Sequence, residues 1–402
     1  MDPVESVKTT SIGVFFSMGS KFEEYSQNGI SHFIEHMLFR TNKFYESSQA
    51  VEIVESIGGK INAFTTKEYV CVYSKVLSEN TGKLIQVLFN LIMYPSFEDR
   101  DIESEKKIIT NEIHYYEDRY NERCQNNLIE ASWKGHPLSQ RILGTVESIG
   151  DFNNKTLAEY YNSNLCGDRI VISISGLIEK NLLNSLEKYF SRICSKAKYE
   201  QKEIEKISFK PKYIKESKSL KQHYLSIGYQ CFSYSSKKIV PFLILHTIFG
   251  SGFSSILYKA LRKDKELIYS VGTLPLIYKE GGIFLINTSS PSLHSIHMLI
   301  GEIKKVIEEL KKNGINLNEL LKAKSMIKSQ YAFSLESIDS RMMELGKIEV
   351  LDISKNNDFY KTPNQIDDIF QLIEKITVDN INEVLFELFS KEPSVSIIEG
   401  IT

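Results

Sequence analysis

His32-Phe33-Ile34-Glu35-His36 reads H-x-x-E-H, the inverted order of the helix-borne zinc-protease motif. On a helix, His32 and His36 lie four residues apart on one face, about one turn up the axis. Two imidazole nitrogens can then converge on one zinc ion. Glu35 stands beside the second histidine, where a carboxylate can take the proton of an activated water. The same five residues also describe two helix histidines and a surface glutamate. A catalytic zinc takes three protein ligands and keeps one position open, so the pentapeptide alone is an incomplete site.

A third ligand must come from another element, and an oxygen donor is the usual complement to two imidazoles. The run IESEKKIITNE at 102–112 reads as part of a long acidic helix. Glu105 and Glu112 are two turns apart there and share a face. Ile102, Ile108, Ile109 and Ile113 mark a broad buried side, so both carboxylates could border the core. A Glu/Lys-rich helix is more often a solvated charged face, and spacing alone favours that reading.

These side chains need elements to hold them. Residues 11–18 (SIGVFFSM) form a β-rich run before the turn Gly19-Ser20, and Ser31 is placed to cap the helix carrying the histidines. A second helix is expected over 47–56, ended by Gly58-Gly59. Residues 60–77 read as a strand, helical patterns follow at 79–93 and 99–133, and a strand at 169–176 precedes a helix near 178–193. Between 195 and 222 the composition shifts to lysine and glutamate, reading as an interdomain linker with a short strand. The second half repeats the order: a strand at 222–230, helices across 238–263, strands around 267–288, helices at 293–313 and 317–335, and a closing strand at 394–399. That repetition suggests duplication, each half an α+β domain with helices on a mostly antiparallel sheet.

Composition sets the outer limits. A chain of 402 residues exceeds one ordinary core, and 42% hydrophobic with 25% charged residues is globular usage. A net charge of −2 lacks the basic footprint of a nucleic-acid binder. The five cysteines (Cys71, Cys124, Cys166, Cys194, Cys231) form no CxxC pair and read as reduced thiols. Residues 1–10 carry no apolar signal core, and no run is long and apolar enough for a membrane span. A cytoplasmic location is expected, or an organelle matrix in a eukaryote. The glycine-rich Gly250–Ser255 lacks the Gly-Lys-Ser/Thr of a phosphate loop.

The chain resembles the M16 metallopeptidases (pitrilysin, insulinase and mitochondrial processing peptidase) along nearly its whole length. Members pair H-x-x-E-H with a glutamate about 76 positions beyond the second histidine, which here is Glu112 in Thr-Asn-Glu-Ile-His. The resemblance implies that Glu112 is the third zinc ligand and that Glu105, one heptad earlier, orients a ligand. Gly58–Thr65 (GGKINAFT) resembles the family's edge strand, where main-chain groups around Asn62, Ala63 and Phe64 pair with an extended peptide. Asn62 would equally serve a turn. Leu261-Arg262 and Tyr269-Ser270-Val271 resemble the "LR…Y" element, implying that Arg262 and Tyr269 hold substrate and support charge on the scissile carbonyl. His136-Pro137-Leu138 and Ile142-Leu143-Gly144 resemble a further, structural segment. Two departures stand out: little room for a first strand ahead of Ser11, and Arg40-Thr41 where Lys-Gly is more frequent.

The implied fold is two homologous α+β domains of the LuxS/M16 metallohydrolase type, residues 1–200 with the zinc site and 201–402 with the Arg/Tyr element. The implied function is a zinc-dependent endopeptidase with one Zn²⁺ per chain, acting on unfolded peptides in a closed chamber with Glu35 as base. The chamber implies a homodimer, or a heterodimer with a related M16 subunit. A noncatalytic M16-like peptide-binding subunit is the alternative; such subunits typically lose part of the zinc motif, and this chain keeps it.

Overall fold

Two runs rich in β-branched and aromatic residues, Thr9–Phe16 and Val70–Leu77, pair antiparallel in the middle of the first of two sheets. The computed structural model describes residues 1–193, 203–263, 271–353, 362 and 365–401. The first sheet has the order β1-β5-β2-β4-β3, with β1 (Asp2–Pro3), β2 (Thr9–Phe16), β3 (Lys60–Thr65), β4 (Val70–Leu77) and β5 (Ile170–Gly176). The second is β6-β10-β7-β9-β8, with β6 (Tyr213–Lys218), β7 (His223–Cys231), β8 (Val271–Tyr278), β9 (Gly281–Ser290) and β10 (Ser394–Gly400). Adding five to each strand number turns one order into the other. In both, the first strand runs parallel to its neighbour and the other pairings are antiparallel. The expected α+β fold with two like, mostly antiparallel sheets is what the structure shows.

Helices α1 (Ile30–Leu38), α2 (Asp99–Glu117) and α3 (Tyr120–Ser132) precede the second sheet in sequence; α4 (Ile239–Gly250) and α5 (Ile338–Val350) follow its first strands. One face of the first sheet buries Ile12, Val14 and Phe16 against Phe33, Ile34 and Met37 of α1 and neighbouring helices. Its other face is covered by α5, from the far half of the chain, where Met342 meets Phe15 and Cys71. The approach is close enough to require glycine. A Cβ on Gly13 would lie 2.4 Å from Met342 Sδ, and one on Gly346 only 2.1 Å from the Phe15 ring. The exchange is reciprocal: α3 crosses to the second sheet, where Leu128 and Ile129 pack on Ile283 and Leu285. There a Cβ on Gly228 would lie 2.6 Å from Leu128 Cδ2. Each half thus lends the other the helix that dries its second face.

Several elements differ from the sequence expectation. Residues 60–77 are a hairpin, not one strand: Thr66 donates its amide to Tyr69 O at 2.8 Å, and its hydroxyl accepts from the amides of Glu68 and Tyr69, an ST-turn that reverses the chain. The helical pattern at 99–133 breaks at Asp118-Arg119, which frees α3 to cross over. The lysine-rich segment contributes its expected short strand as β6, at the edge of the second sheet, whereas α5 and the helices Ile366–Lys375 and Val378–Leu388 add to the second half. The missing first strand is present in miniature as β1. Its Asp2 carboxylate is buried and takes two hydrogen bonds from Arg341 of α5, at 2.6 and 2.8 Å. Residues 267–270 of the expected strand, and Cys194, lie outside the described residues. Cys71, Cys124, Cys166 and Cys231 are free and buried, and among the described residues no helix is long and apolar enough to cross a membrane.

Candidate active site

The helix bearing H-x-x-E-H starts on Gly29, whose φ of 94° is the left-handed region that favours glycine. Gly144 backbone packs against it so closely that a Cβ would lie 2.8 Å away. Ser31 does not cap the helix as expected. Its hydroxyl pairs with Tyr160 at 3.1 Å, and the capping is done by Glu23, which accepts from the amides of Gly29 (2.7 Å) and Ser31 (2.9 Å) and from Asn28 Nδ2 (3.0 Å). A carboxylate there also meets the positive end of the helix dipole. Burial nevertheless pushes the Glu23 carboxyl up, against those hydrogen bonds.

Ile30, Phe33, Ile34, Met37 and Leu38 face the core, leaving His32 and His36 side by side with ring centroids 4.6 Å apart. Glu112, on α2, brings Oε2 to 3.8 Å from His32 Nε2 and 3.6 Å from His36 Nε2. One donor atom from each of the three residues lies within 4.8 Å of the others. Hydrogen bonds would be shorter. Donors at about 2.1 Å from a tetrahedral ion are separated by about 3.4 Å, so the spread suits two imidazoles and a carboxylate sharing zinc.

Behind this set, Glu105 is buried and accepts from His36 Nδ1 at 2.8 Å, while its other oxygen is held by Arg40. Burial alone would raise the Glu105 carboxyl; the His36 hydrogen bond and the charges of His36 and Arg40 outweigh it and hold it below its ordinary range. Burial likewise opposes a charged His36, but Glu105 and Glu112 raise that imidazole to about 9. His32 is held low by burial and then by His36, and its buried Nδ1 has no hydrogen-bond partner among the described residues. The Nδ1 support is therefore one-sided.

Glu35 accepts a hydrogen bond from Thr65 Oγ1 at the end of β3. Burial pushes its carboxyl up, against that bond and the His36 charge. His32, Glu35 and Glu112 open on a cleft of about 500 Å³, also lined by Ala63, Phe64, Thr65, Lys67, Tyr116, Arg123 and Arg141. β3 is the outer strand of its sheet. Because Thr66 and Tyr69 form a hydrogen-bonded pair, the antiparallel alternation turns the main-chain groups of Ile61, Ala63 and Thr65 outward. The Ala63 amide donates to the Asn62 side chain at 2.9 Å, which holds a place a third strand would take.

The structure therefore brings together His32, Glu35, His36, Glu105 and Glu112, with Ala63 and Phe64 in the same cleft and Asn62 beside it. Arg262 sits in the π-helical turn Lys259–Lys263 and is not among the residues lining the cleft. Tyr269 lies outside the described residues. His136 is spent on its turn, Nδ1 accepting from the Leu138 amide and Nε2 meeting Glu205 O at 2.9 Å. Arg40 and Thr65 were missed as site residues. Arg40 follows His36 by four positions on the same helical path, and that spacing was the available signal.

Residues 4–146 match the family description "Insulinase (Peptidase family M16)", and residues 151–327 match "Peptidase M16 inactive domain". A relative from Bacillus subtilis, described as an uncharacterized zinc protease, is 31% identical over 393 residues, covering 98% of this chain and 93% of its own. The mitochondrial-processing peptidase subunit beta of Saccharomyces cerevisiae is 24% identical over 395 residues, covering 94% and 83%. The crystal structure of a protease from Helicobacter pylori superposes with a TM-score of 0.89 at 18% identity, covering 99% of this chain and 95% of that one. The chain belongs to peptidase family M16, a family of zinc proteases.

Proposed function

We propose that this chain is a zinc-dependent endopeptidase for unstructured peptides. The carrying observation is the convergence of His32, His36 and Glu112 donors at 3.6 and 3.8 Å beside a half-buried Glu35 and an open strand edge. His32 Nε2, His36 Nε2 and Glu112 would hold one Zn²⁺. When bound, the ion supplies a Lewis acid that acidifies water and polarises a carbonyl. Glu35, its carboxyl raised by burial and steadied by Thr65, takes the proton of the attacking water and hands it to the leaving amine. Glu105 keeps a proton on His36 Nδ1, so Nε2 presents its lone pair. The outward main-chain groups of Ile61, Ala63 and Thr65 accept an extended peptide as a further strand.

The site-bearing domain is taken as 1–200 and its companion as 201–402. Arg262 lies outside the lining of its own chain's cleft, which favours a second copy or a related subunit as the source of an Arg262/Tyr269 clamp and of the chamber wall. Folded proteins are then poor substrates. The test is Glu35→Gln: the variant should retain about one zinc per chain and lose cleavage of a quenched unstructured peptide. Retained cleavage would refute the assigned base. A wild-type chain that binds zinc and peptide without cleaving would be the noncatalytic peptide-binding subunit instead.

A further inference from the structure

Among the described residues, three lysine and arginine side chains line the cleft, and two of them are already neutralised. Arg141 is held by Glu130 and reaches Glu117 at 3.4 Å. Arg123 makes a two-pronged pair with Glu216 of β6, at 3.0 and 2.6 Å. Lys67 differs. Its ammonium donates to one neutral group, the Gln140 carbonyl, at 2.6 Å, and among the described residues no carboxylate lies within ion-pair distance of it. The acidic groups that face it from neighbouring elements are committed elsewhere, Glu130 to Arg141 and Glu23 to the start of α1. Burial outweighs the more distant charges of Glu130 and Glu23 and draws the Lys67 amine down to about 8. An ammonium carries three donors, so two remain for a ligand that brings negative charge.

Its position says which ligand. Lys67 follows Thr65 by two residues, in the turn that ends the open edge strand, and Thr65 touches the base. The turn is fixed: Lys21 donates its amide to Lys67 O at 2.9 Å, and Glu23 O and Ser20 O both receive Gln140 Nε2. A peptide lying along β3 passes Thr65 at the point of attack. Lys67 lines the same cleft as Thr65 and Glu35, so a carboxylate close in sequence to the attacked bond is what the ammonium can meet.

We propose that Lys67 is a specificity residue of this cleft, its ammonium binding a carboxylate of the substrate, from an acidic side chain or a free C-terminus, close in sequence to the scissile bond. The inference rests on the peptidase reading above and adds the substrate's chemistry to it.

The test uses the zinc-loaded full chain and unstructured quenched peptides in which one aspartate is walked through three positions on each side of the cleaved bond, each against its asparagine counterpart. A second arm compares free and amidated C-termini. Charge-assisted hydrogen bonds correspond to about a tenfold to hundredfold preference, expected at one position in kcat/KM. A preference at internal aspartate assigns the side chain; one confined to the free terminus assigns the chain end. Lys67→Met should erase the discrimination, Lys67→Arg should keep it, and Lys67→Glu should shift it toward lysine at the same position, a gain that misfolding cannot produce. A flat aspartate scan, or a preference that survives Lys67→Met, overturns the proposal. Should no peptide be cleaved, the peptidase reading falls, and the subsite is decided by fluorescence-anisotropy affinities of the same peptide pairs. Equal affinities for wild type and Lys67→Met there also overturn it.

Discussion

Glu105 is the residue whose replacement most directly tests how this site holds a metal. It touches no donor position itself. One oxygen accepts from His36 Nδ1 at 2.8 Å, the other is held by Arg40, and only 3% of its side chain is exposed. Glu105→Gln keeps the shape and one acceptor but removes the negative charge that makes His36 a better donor at Nε2. It also lets the amide present a donor to Nδ1, which would favour the wrong tautomer. Losing such an outer partner costs about tenfold to a hundredfold in metal affinity, or about 1.4–2.7 kcal/mol. The upper part of that range applies, because His32 Nδ1 has no partner among the described residues and cannot compensate. The fold should survive, since Arg40 is 27% exposed and can turn to water. The assay is competition of the metal-free protein against a chromophoric chelator, with peptide cleavage followed as zinc is raised. Zinc affinity should fall by the stated factor, and activity should return at saturating zinc to within a few-fold of wild type. An affinity within twofold of wild type would refute the role given to Glu105.

Four other outcomes are expected. In the metal-free chain His36 is raised to about 9 while His32 is held low, so zinc binding at pH 7 should release about one proton, and none well above pH 9; calorimetry in buffers of different ionisation enthalpy measures this, and zero release at pH 7 would contradict it. Because that pKa lies above the unfolded imidazole's, the His36 contacts stabilise the metal-free chain fully below about pH 6.5 and fade as pH rises through about 9, which urea midpoints across that window should show. Gly346→Ala gains about 1 kcal/mol of helix propensity but drives a methyl to 2.1 Å from the buried Phe15 ring, so a net loss of about 1–3 kcal/mol is expected; an unchanged denaturation midpoint would sink the close-packing account of α5. Lys21→Met leaves Glu68 and Glu280, buried at 2.7 and 3.0 Å from the lost ammonium, without the cation that pairs them. A loss of about 3–5 kcal/mol should follow, largely restored when both glutamates become glutamine.

The parts of the site legible in the sequence are those that local periodicity fixes. His32, Glu35 and His36 lie within a little over one helical turn, so their juxtaposition needs nothing from the rest of the chain. Glu112 and Glu105 were different: a shared helix face says nothing about what that face meets, and only the likeness to a family separated them from a solvated surface. The structure supplies the missing contact, Glu105 lying buried against α1. The same limit hid the crossing of α3. An amphipathic pattern shows that a helix buries one side, not which of two sheets receives it. The hairpin inside 60–77 was lost for a subtler reason, because Thr66 to Glu68 carry no glycine or proline and the reversal rests on one threonine hydroxyl.

Why the cluster of His32, His36 and Glu112 sits on one of two like sheets follows from what occupies the same slot in each. α1 comes after β2, and α4 comes after β7; each packs near the outer edge of its own sheet. α1 buries one face and keeps two histidines and a glutamate on another, whereas α4 is apolar around most of its circumference, burying Ile239, Phe242, Ile244, Leu245 and Phe249. Its single His246 is drawn low by burial and offers no second donor on the next turn. A helix of that kind can only be core. The second sheet then acts on the first through contacts that span the halves: α5 over Gly13, Glu280 on Lys21, and Glu216 on Arg123. Two of those contacts end on residues beside the cleft, Lys21 on the Lys67 turn and Arg123 in the lining. The second half is thus coupled to the shape of the cleft, so substitutions at Glu280 or Glu216 should change peptide handling without touching His32, His36 or Glu112.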